Sequence, residues 1–248
     1  MNLVSSIADQ AIDIALALVY PEACAVCGGS VESRHDGVAC ARCWSEAPLF
    51  RGDETHCWKC GALSLAKIDH DRRESVRCGR CETAAFTAAR AGGLYEGALR
   101  ASVLELKRRP HVARRLLTLM CEVQQREPLH EADVIVPIPL HHDRERERGF
   151  NQASVLARKL SRHSGLPVDE HSVVRRVHTE RHRAGMDAKA RHQSVADAFT
   201  VRHPELLAGK RVLLVDDVFT TGATASACAG ALKEAGASEV FVLTMARA

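Results

Sequence analysis

The sequence predicts an α/β protein, a parallel sheet flanked by helices and preceded by a small cysteine-rich module. Three observations carry this. Eight of the ten cysteines fall into four Cys-x-x-Cys pairs, all of them before residue 82. Beyond residue 90, strand-like apolar runs alternate with helix-like runs, the pattern of a parallel sheet covered by helices. Of the 248 residues, 46% are hydrophobic and 26% charged, an ordinary globular composition, and no stretch nears the roughly 18 uninterrupted apolar residues of a spanning helix.

The elements follow in order. Ile7, Ile12, Ile14, Ala15, Leu18 and Val19 recur at helical spacing, which predicts a short amphipathic helix over residues 1–22. Asp9, Gln10 and Asp13 interrupt that run and no basic leader precedes it, so no export signal or membrane insertion is expected and a cytoplasmic location is. In a reducing compartment, spaced cysteine pairs read as metal ligands rather than disulfides. Cys24-x2-Cys27 and Cys40-x2-Cys43 are twelve residues apart, and Cys57-x2-Cys60 and Cys78-x2-Cys81 are seventeen apart. These spacings suit two tetrahedral four-thiolate zinc sites, their pairs combined sequentially or crossed. Four thiolates leave no open coordination position for catalysis, so structural zinc is expected, with redox pairs or an iron–sulfur cluster as the alternatives. Segments so poor in apolar residues depend on metal to fold. Cys121 and Cys228 are left as small core residues. The change in composition places a boundary at 85 to 92, dividing the chain into a helix over 1–22, a double zinc module over 23–88 and an α/β domain over 89–248.

In that domain, residues 133 to 140 (DVIVPIPL) read as a buried strand entering a proline-stiffened loop, and residues 152 to 161 as a helix. Residues 210 to 215 form a second strand, 223 to 235 a helix ended by Gly236 at a left-handed cap, and 239 to 244 a third strand. The stretch VLLVDDVFTTGAT, residues 212–224, carries the chemistry. Asp216 and Asp217 stand at a strand's carboxyl end, where ligands bind in open parallel sheets. Paired carboxylates suit the hydroxyls of a ribose diol, and one can reach a magnesium ion through water. In Thr220-Thr221-Gly222-Ala223-Thr224, small side chains let backbone N–H groups approach a phosphate at the positive end of the next helix. Diol plus phosphate means a ribose 5-phosphate.

A further phosphate-bearing group would be met by the loop containing Pro137 and Pro139, and by Arg148-Gly149-Phe150-Asn151-Gln152 just before a helix start. Arg144 and Arg146, alternating with glutamates, read as a solvated helix face. Lys107 is a third candidate for phosphate, and reads equally well as a solvated lysine. Residues 171 to 193 hold six basic side chains (Arg175, Arg176, Arg181, Arg183, Lys189, Arg191) against Glu180 and Asp187, which reads as a cationic arm able to close over a polyanion or as a solvated loop. The net charge of +3 is too small to force a nucleic-acid reading by itself.

Residues 212–224 closely resemble the signature with which type I phosphoribosyltransferases bind 5-phosphoribosyl 1-diphosphate (PRPP), and the order of motifs along essentially the whole chain resembles the ComF family. The matching elements are the cysteine module after Tyr20-Pro21-Glu22-Ala23-Cys24, then Tyr95-Glu96-Gly97 with Leu106-Lys107, the residues 136 to 140 loop, Arg148-Gly149-Phe150-Asn151-Gln152 and the PRPP signature. The resemblance implies a type I phosphoribosyltransferase-like fold behind a double zinc ribbon. It implies PRPP with magnesium as ligand, with Asp216 and Asp217 on the ribose hydroxyls and Thr220, Thr221, Gly222, Ala223 and Thr224 on the 5-phosphate. It also implies a role in uptake of single-stranded DNA during natural transformation and in use of DNA as a nutrient, with single-stranded DNA and a DNA-uptake helicase as partners. Three functions stay open: a DNA-processing accessory factor, a transferase joining a base or amine to ribose 5-phosphate with loss of diphosphate, and a PRPP sensor. Transfer of this kind needs positioning, charge stabilisation and magnesium, so no catalytic base is named. Aromatic residues make up only 4% of the chain, which weighs against interleaved base stacking. No N-terminal nucleophilic cysteine is present for an amidotransferase activity.

Overall fold

The computed structural model describes residues 22–64, 70–176 and 198–248. The helix expected over 1–22 lies outside them except for its last residue, as do Arg181, Arg183, Lys189 and Arg191 of the cationic arm.

The first cysteine segment carries a short helix, α1 (Ala41–Ser45), which turns Cys43 and Trp44 inward. After the second come β1 (Ala88–Leu94), α2 (Gly97–Leu106) and α3 (Arg114–Gln124), then β2 (Val134–Pro137), α4 (His142–Arg148) and α5 (Gln152–Ser164). A hairpin-like pair, β3 (Val173–Arg175) and β4 (Phe199–Val201), precedes β5 (Arg211–Phe219), α6 (Ala223–Glu234) and β6 (Glu239–Arg247). The main sheet has the order β1-β6-β5-β2 with every pairing parallel, so the predicted helix-flanked parallel sheet is what forms.

Burial on both sides explains the near-continuous apolar runs of β2, β5 and β6. One core lies on the face of Leu213, Val215, Phe241 and Leu243, covered by α2, α3 and α5. The other lies on the face of Val212, Leu214, Val240 and Val242, covered by α6. Each core also takes in one cysteine group: Cys24, Cys40 and Cys43 join the first with Trp44, and Cys57, Cys60 and Cys81 join the second. The knuckles therefore borrow a core from the sheet instead of depending on metal alone.

Backbone bonding tightens this union. β1 would be an exposed edge, and unpaired edges are liabilities. Here Phe50 N–H donates to Gly92 O (2.8 Å), Leu94 N–H to Pro48 O (2.9 Å) and Ala89 N–H to Lys59 O (2.7 Å), so the module lies along that edge. The contact requires glycine at position 93, where a Cβ would come within 2.6 Å of Pro48 O. β5 and β6 run on to Phe219 and Arg247, past the ends predicted from the apolar runs, because the ladder pairs backbone whatever the side chains are. No helix among the described residues is long and apolar enough to cross a membrane.

Candidate functional site

The four cysteine pairs combine sequentially. Cys24, Cys27, Cys40 and Cys43 form one cluster and Cys57, Cys60, Cys78 and Cys81 the other, the sulfurs of each lying within 4.8 Å of one another. Zinc fits. In a tetrahedral site with Zn–S of about 2.3 Å the sulfurs lie roughly 3.8 Å apart. Here Cys24–Cys43 and Cys27–Cys40 are 3.8 and 3.7 Å apart, and Cys57–Cys81 and Cys60–Cys78 are each 3.5 Å apart. Burial pushes the Cys24 thiol up, but N–H groups of Cys27, Cys40 and Val26 outweigh it and bring it down to about 6. The same opposition, burial against the N–H groups of Cys60 and Cys78, brings Cys57 to about 6. Cys43 and Cys81 are driven up, by burial first and by neighbouring sulfurs second. Such a split is that of four acids sharing a small volume, and a divalent cation among them relieves it.

The second locus is the carboxyl edge of the sheet. β5 pairs with β2 only as far as Val215, opposite Pro137, while its ladder with β6 continues to Phe219. Asp216 and Asp217 stand where β2 has ended but β5 is still held from one side. The strand end expected at Val215 is thus an end on the β2 flank alone. Ile138 N–H donates to Val215 O at 2.9 Å, which brings the Pro137–Pro139 loop beside the acids. Asn151, a buried residue that caps α5 by accepting from Ala153 N–H (3.0 Å), donates through Nδ2 to Ile138 O (3.0 Å) and pins that loop. Gln152 is also buried, and its Oε1 accepts from Arg148 Nη1.

Adjacent strand residues face opposite sides. Asp216 shares the face of Val212 and Leu214, toward α6, and Asp217 that of Leu213 and Val215. The two carboxyls therefore flank the strand instead of standing side by side. Asp217 is buried and paired with Lys107, whose Nζ, just past the end of α2, lies 2.8 Å from Oδ2. Lys107 is thus neither a solvated lysine nor a free one. Asp216 accepts from Asp217 N–H at 2.8 Å. Desolvation first, and the Asp217 charge second, raise its carboxyl well above the ordinary range. Thr244, its register partner on β6, is buried with an unpartnered hydroxyl.

Behind the acids, Thr220, Thr221 and Ala223 are exposed and Gly222 is buried at φ +80°. A Cβ on Gly222 would come within 2.6 Å of Phe219 Cζ, so this turn needs glycine for both backbone and space. The first-turn N–H groups of α6 have no intrahelical acceptors. One of them, Ala223 N–H, is met at 3.3 Å by Thr221 Oγ1. Phe219 is braced from below: Arg247 lies over its ring at 4.8 Å and donates to Cys60 O at 2.6 Å, and Phe86 meets the ring edge-on. The second thiolate cluster is in this way tied to the turn.

Donors at the turn and acceptors at the strand end suit a ligand with a phosphate at one end and hydroxyls at the other. Of the sequence candidates, the structure brings Asp216, Asp217, Lys107, Pro137, Pro139 and Asn151 to one edge, and pairs Arg148 with Gln152 at the start of α5. In the basic stretch, Arg175 lies over the Phe199 ring at 5.5 Å, a packed residue rather than part of a free arm. Sequence reasoning missed the Lys107–Asp217 pair, the bracing by Arg247 and the position of Thr244. Each joins elements remote in the chain, and only the Leu106-Lys107 motif pointed toward one of them.

Comparison with known proteins agrees with both halves. Residues 15–82 match the double zinc ribbon domain and residues 130–248 the phosphoribosyl transferase domain. Competence protein F of Haemophilus influenzae is 35% identical over 138 residues, 55% of this chain and 60% of that protein. DNA utilization protein YhgH of Escherichia coli is 30% identical over 239 residues, 93% of this chain and 99% of that protein. Competence protein ComFC of Bacillus subtilis is 36% identical over 115 residues, 46% of this chain and 44% of that protein. The chain thus spans under two thirds of the Haemophilus protein and nearly all of the E. coli one.

Proposed function

The chain belongs to the ComF family, and from that premise we propose that it binds PRPP with magnesium at the carboxyl edge of its sheet and serves the uptake or utilisation of single-stranded DNA; its relatives are named for competence and for DNA utilization. One observation carries the ligand: a glycine turn at φ +80°, opening a helix directly behind two strand-end carboxylates. In this reading Thr220 to Thr224 donate to the 5-phosphate. Asp216 and Asp217 accept from the ribose hydroxyls from opposite flanks of β5, and one of them orients magnesium through water. Pro137, Pro139, Arg148, Asn151 and Gln152 frame the diphosphate, with Lys107 exchanging Asp217 for it. Arg181 and Arg183 supply charge toward DNA or diphosphate.

Titration calorimetry with PRPP and magnesium tests this. Asp216→Asn with Asp217→Asn should weaken binding about a hundredfold, the loss of two charge-assisted contacts, while the protein still folds and melts cooperatively. Unchanged affinity overturns the assignment. A second reading, turnover of PRPP, draws on Lys107, whose ammonium 2.8 Å from Asp217 places a cation where a departing diphosphate would gather charge. Diphosphate release with a panel of bases would favour the transferase, and tight binding without release the accessory role.

A further inference from the structure

Away from the sheet edge, a cleft of about 600 Å³ lies between the second cysteine loop and β1, within the size range of small-molecule sites. Four arginines line it, Arg51, Arg73, Arg90 and Arg126, and the guanidinium groups of the last three are bonded to the cleft's backbone. Arg90, on β1, is 5% exposed and donates from Nε to Glu127 O (2.9 Å) and from Nη1 to Trp58 O (2.7 Å) and Ala89 O (2.9 Å). Arg126 donates to Ala91 O and Phe50 O, and Arg73 to Asp53 O. All three donate to carbonyls, and among the described residues no carboxylate lies within ion-pair distance of any of them.

The wall is aromatic. The rings of His56 and Trp58 are parallel to within 6° with centroids 6.4 Å apart, and Arg90 lies over Trp58 at 4.7 Å. Buried polar atoms normally find partners, and those that do not call for an explanation. Here Arg73 Nε, Arg90 Nη2 and His56 Nε2 are all buried and unpartnered, and all three side chains line this one cleft. His56 Nδ1 is already engaged with Glu54 O at 2.8 Å, so Nε2 is the ring's free nitrogen.

We propose that this cleft is a second ligand site, separate from the sheet edge, which takes a mononucleotide: a planar heteroaromatic ring against Trp58 and His56, with its phosphate on Arg73 and Arg90. Guanidinium groups suit phosphate oxygens, and a base carries both the flat face and the polar edge that the aromatic wall and His56 Nε2 call for. Asp53, Glu54, Glu74 and Glu127 line the same cleft, matching its four arginines in number, and repel a continuous polyanion, which favours one small phosphate ester over a nucleic-acid strand.

AMP, adenosine and inorganic phosphate serve as probes with the full-length protein. Trp58 is one of two tryptophans, so AMP should quench part of the emission, and should do so equally in the presence of saturating PRPP and in the Asp216→Asn, Asp217→Asn variant. Adenosine and phosphate alone should each bind at least about tenfold more weakly. Arg90 bonds three carbonyls and its replacement risks the fold, so the informative variants are Arg73→Gln, which should weaken AMP about tenfold, and Trp58→Phe, which should remove the quench while calorimetry still reads the binding. AMP affinity unchanged by Arg73→Gln, displacement of AMP by PRPP, or no AMP binding at all would each overturn the proposal. Since PRPP affinity is read separately, none of these outcomes bears on the sheet-edge site.

Discussion

Asp216 and Asp217 are neighbours in sequence and opposites in circumstance. Asp217 is held by Lys107, while Asp216 is desolvated and raised well above its ordinary 3.8, first by burial and then by the charge of Asp217. Between the unfolded value and that raised value the folded protein holds a proton the unfolded chain has lost. This group's contribution to stability therefore falls as pH rises through the window. Ligand binding should run the other way, because the carboxylate accepts hydrogen bonds from ribose hydroxyls at both oxygens and more strongly than the protonated acid. PRPP affinity should rise with pH through the same window, and binding should release a proton. Calorimetry in buffers of different ionisation enthalpy measures that release. Asp216→Asn should abolish it and Asp217→Asn should not. Wild-type binding without proton release would place Asp216 outside the ligand contact. At this scale the acids and the threonine turn were legible because they are contiguous in sequence. The Lys107 pairing was not, because no local pattern encodes a contact between the end of α2 and the carboxyl-terminal part of β5.

Among the elements, the turn between β5 and α6 is the most sharply specified. Gly222→Ala would put a non-glycine residue at φ +80°, at a cost of about 1–2 kcal/mol, and press a methyl against Phe219, which Arg247 and Phe86 hold in place. The melting temperature should fall by roughly 2–8 °C. PRPP affinity should fall at least about tenfold, since the turn's N–H groups move with the backbone. Thr220→Ala, at an exposed position, should cost affinity without stability. A Gly222→Ala protein that melts and binds like wild type would show that the ring yields freely. Strands β2, β5 and β6 were readable because Val, Ile and Leu runs mark strands buried on both faces. β1, Ala-Ala-Arg-Ala-Gly-Gly-Leu, carries no such signature. Its small residues serve the close approach of the cysteine module, a reason that exists only once the module is in place.

For the molecule as a whole, the cysteine module and the sheet domain were distinguishable by composition, yet their union was not, since spacing reports ligands and says nothing of what the ligands pack against. One cluster enters the core under α2, α3 and α5, the other enters the core under α6, and the backbone between them bonds to β1. Metal binding free energy is then folding free energy for the whole chain. Zinc removal by a chelator should shift a single cooperative melting transition to lower temperature, without releasing an intact sheet domain beside an unfolded module. The two clusters should also differ in what they govern. Cys60 O holds Arg247, which holds Phe219, which supports Gly222, whereas the first cluster faces α2 and α3. At equal loss of one equivalent of metal, Cys57→Ser should therefore weaken PRPP binding several-fold more than Cys24→Ser, by an amount on the order of one supporting contact. Metal analysis beside calorimetry reads both quantities. A two-step melt, or PRPP affinity equally indifferent to both substitutions, would mean that the zinc module merely rests on the domain and that the Arg247 bridge transmits nothing to the phosphate turn.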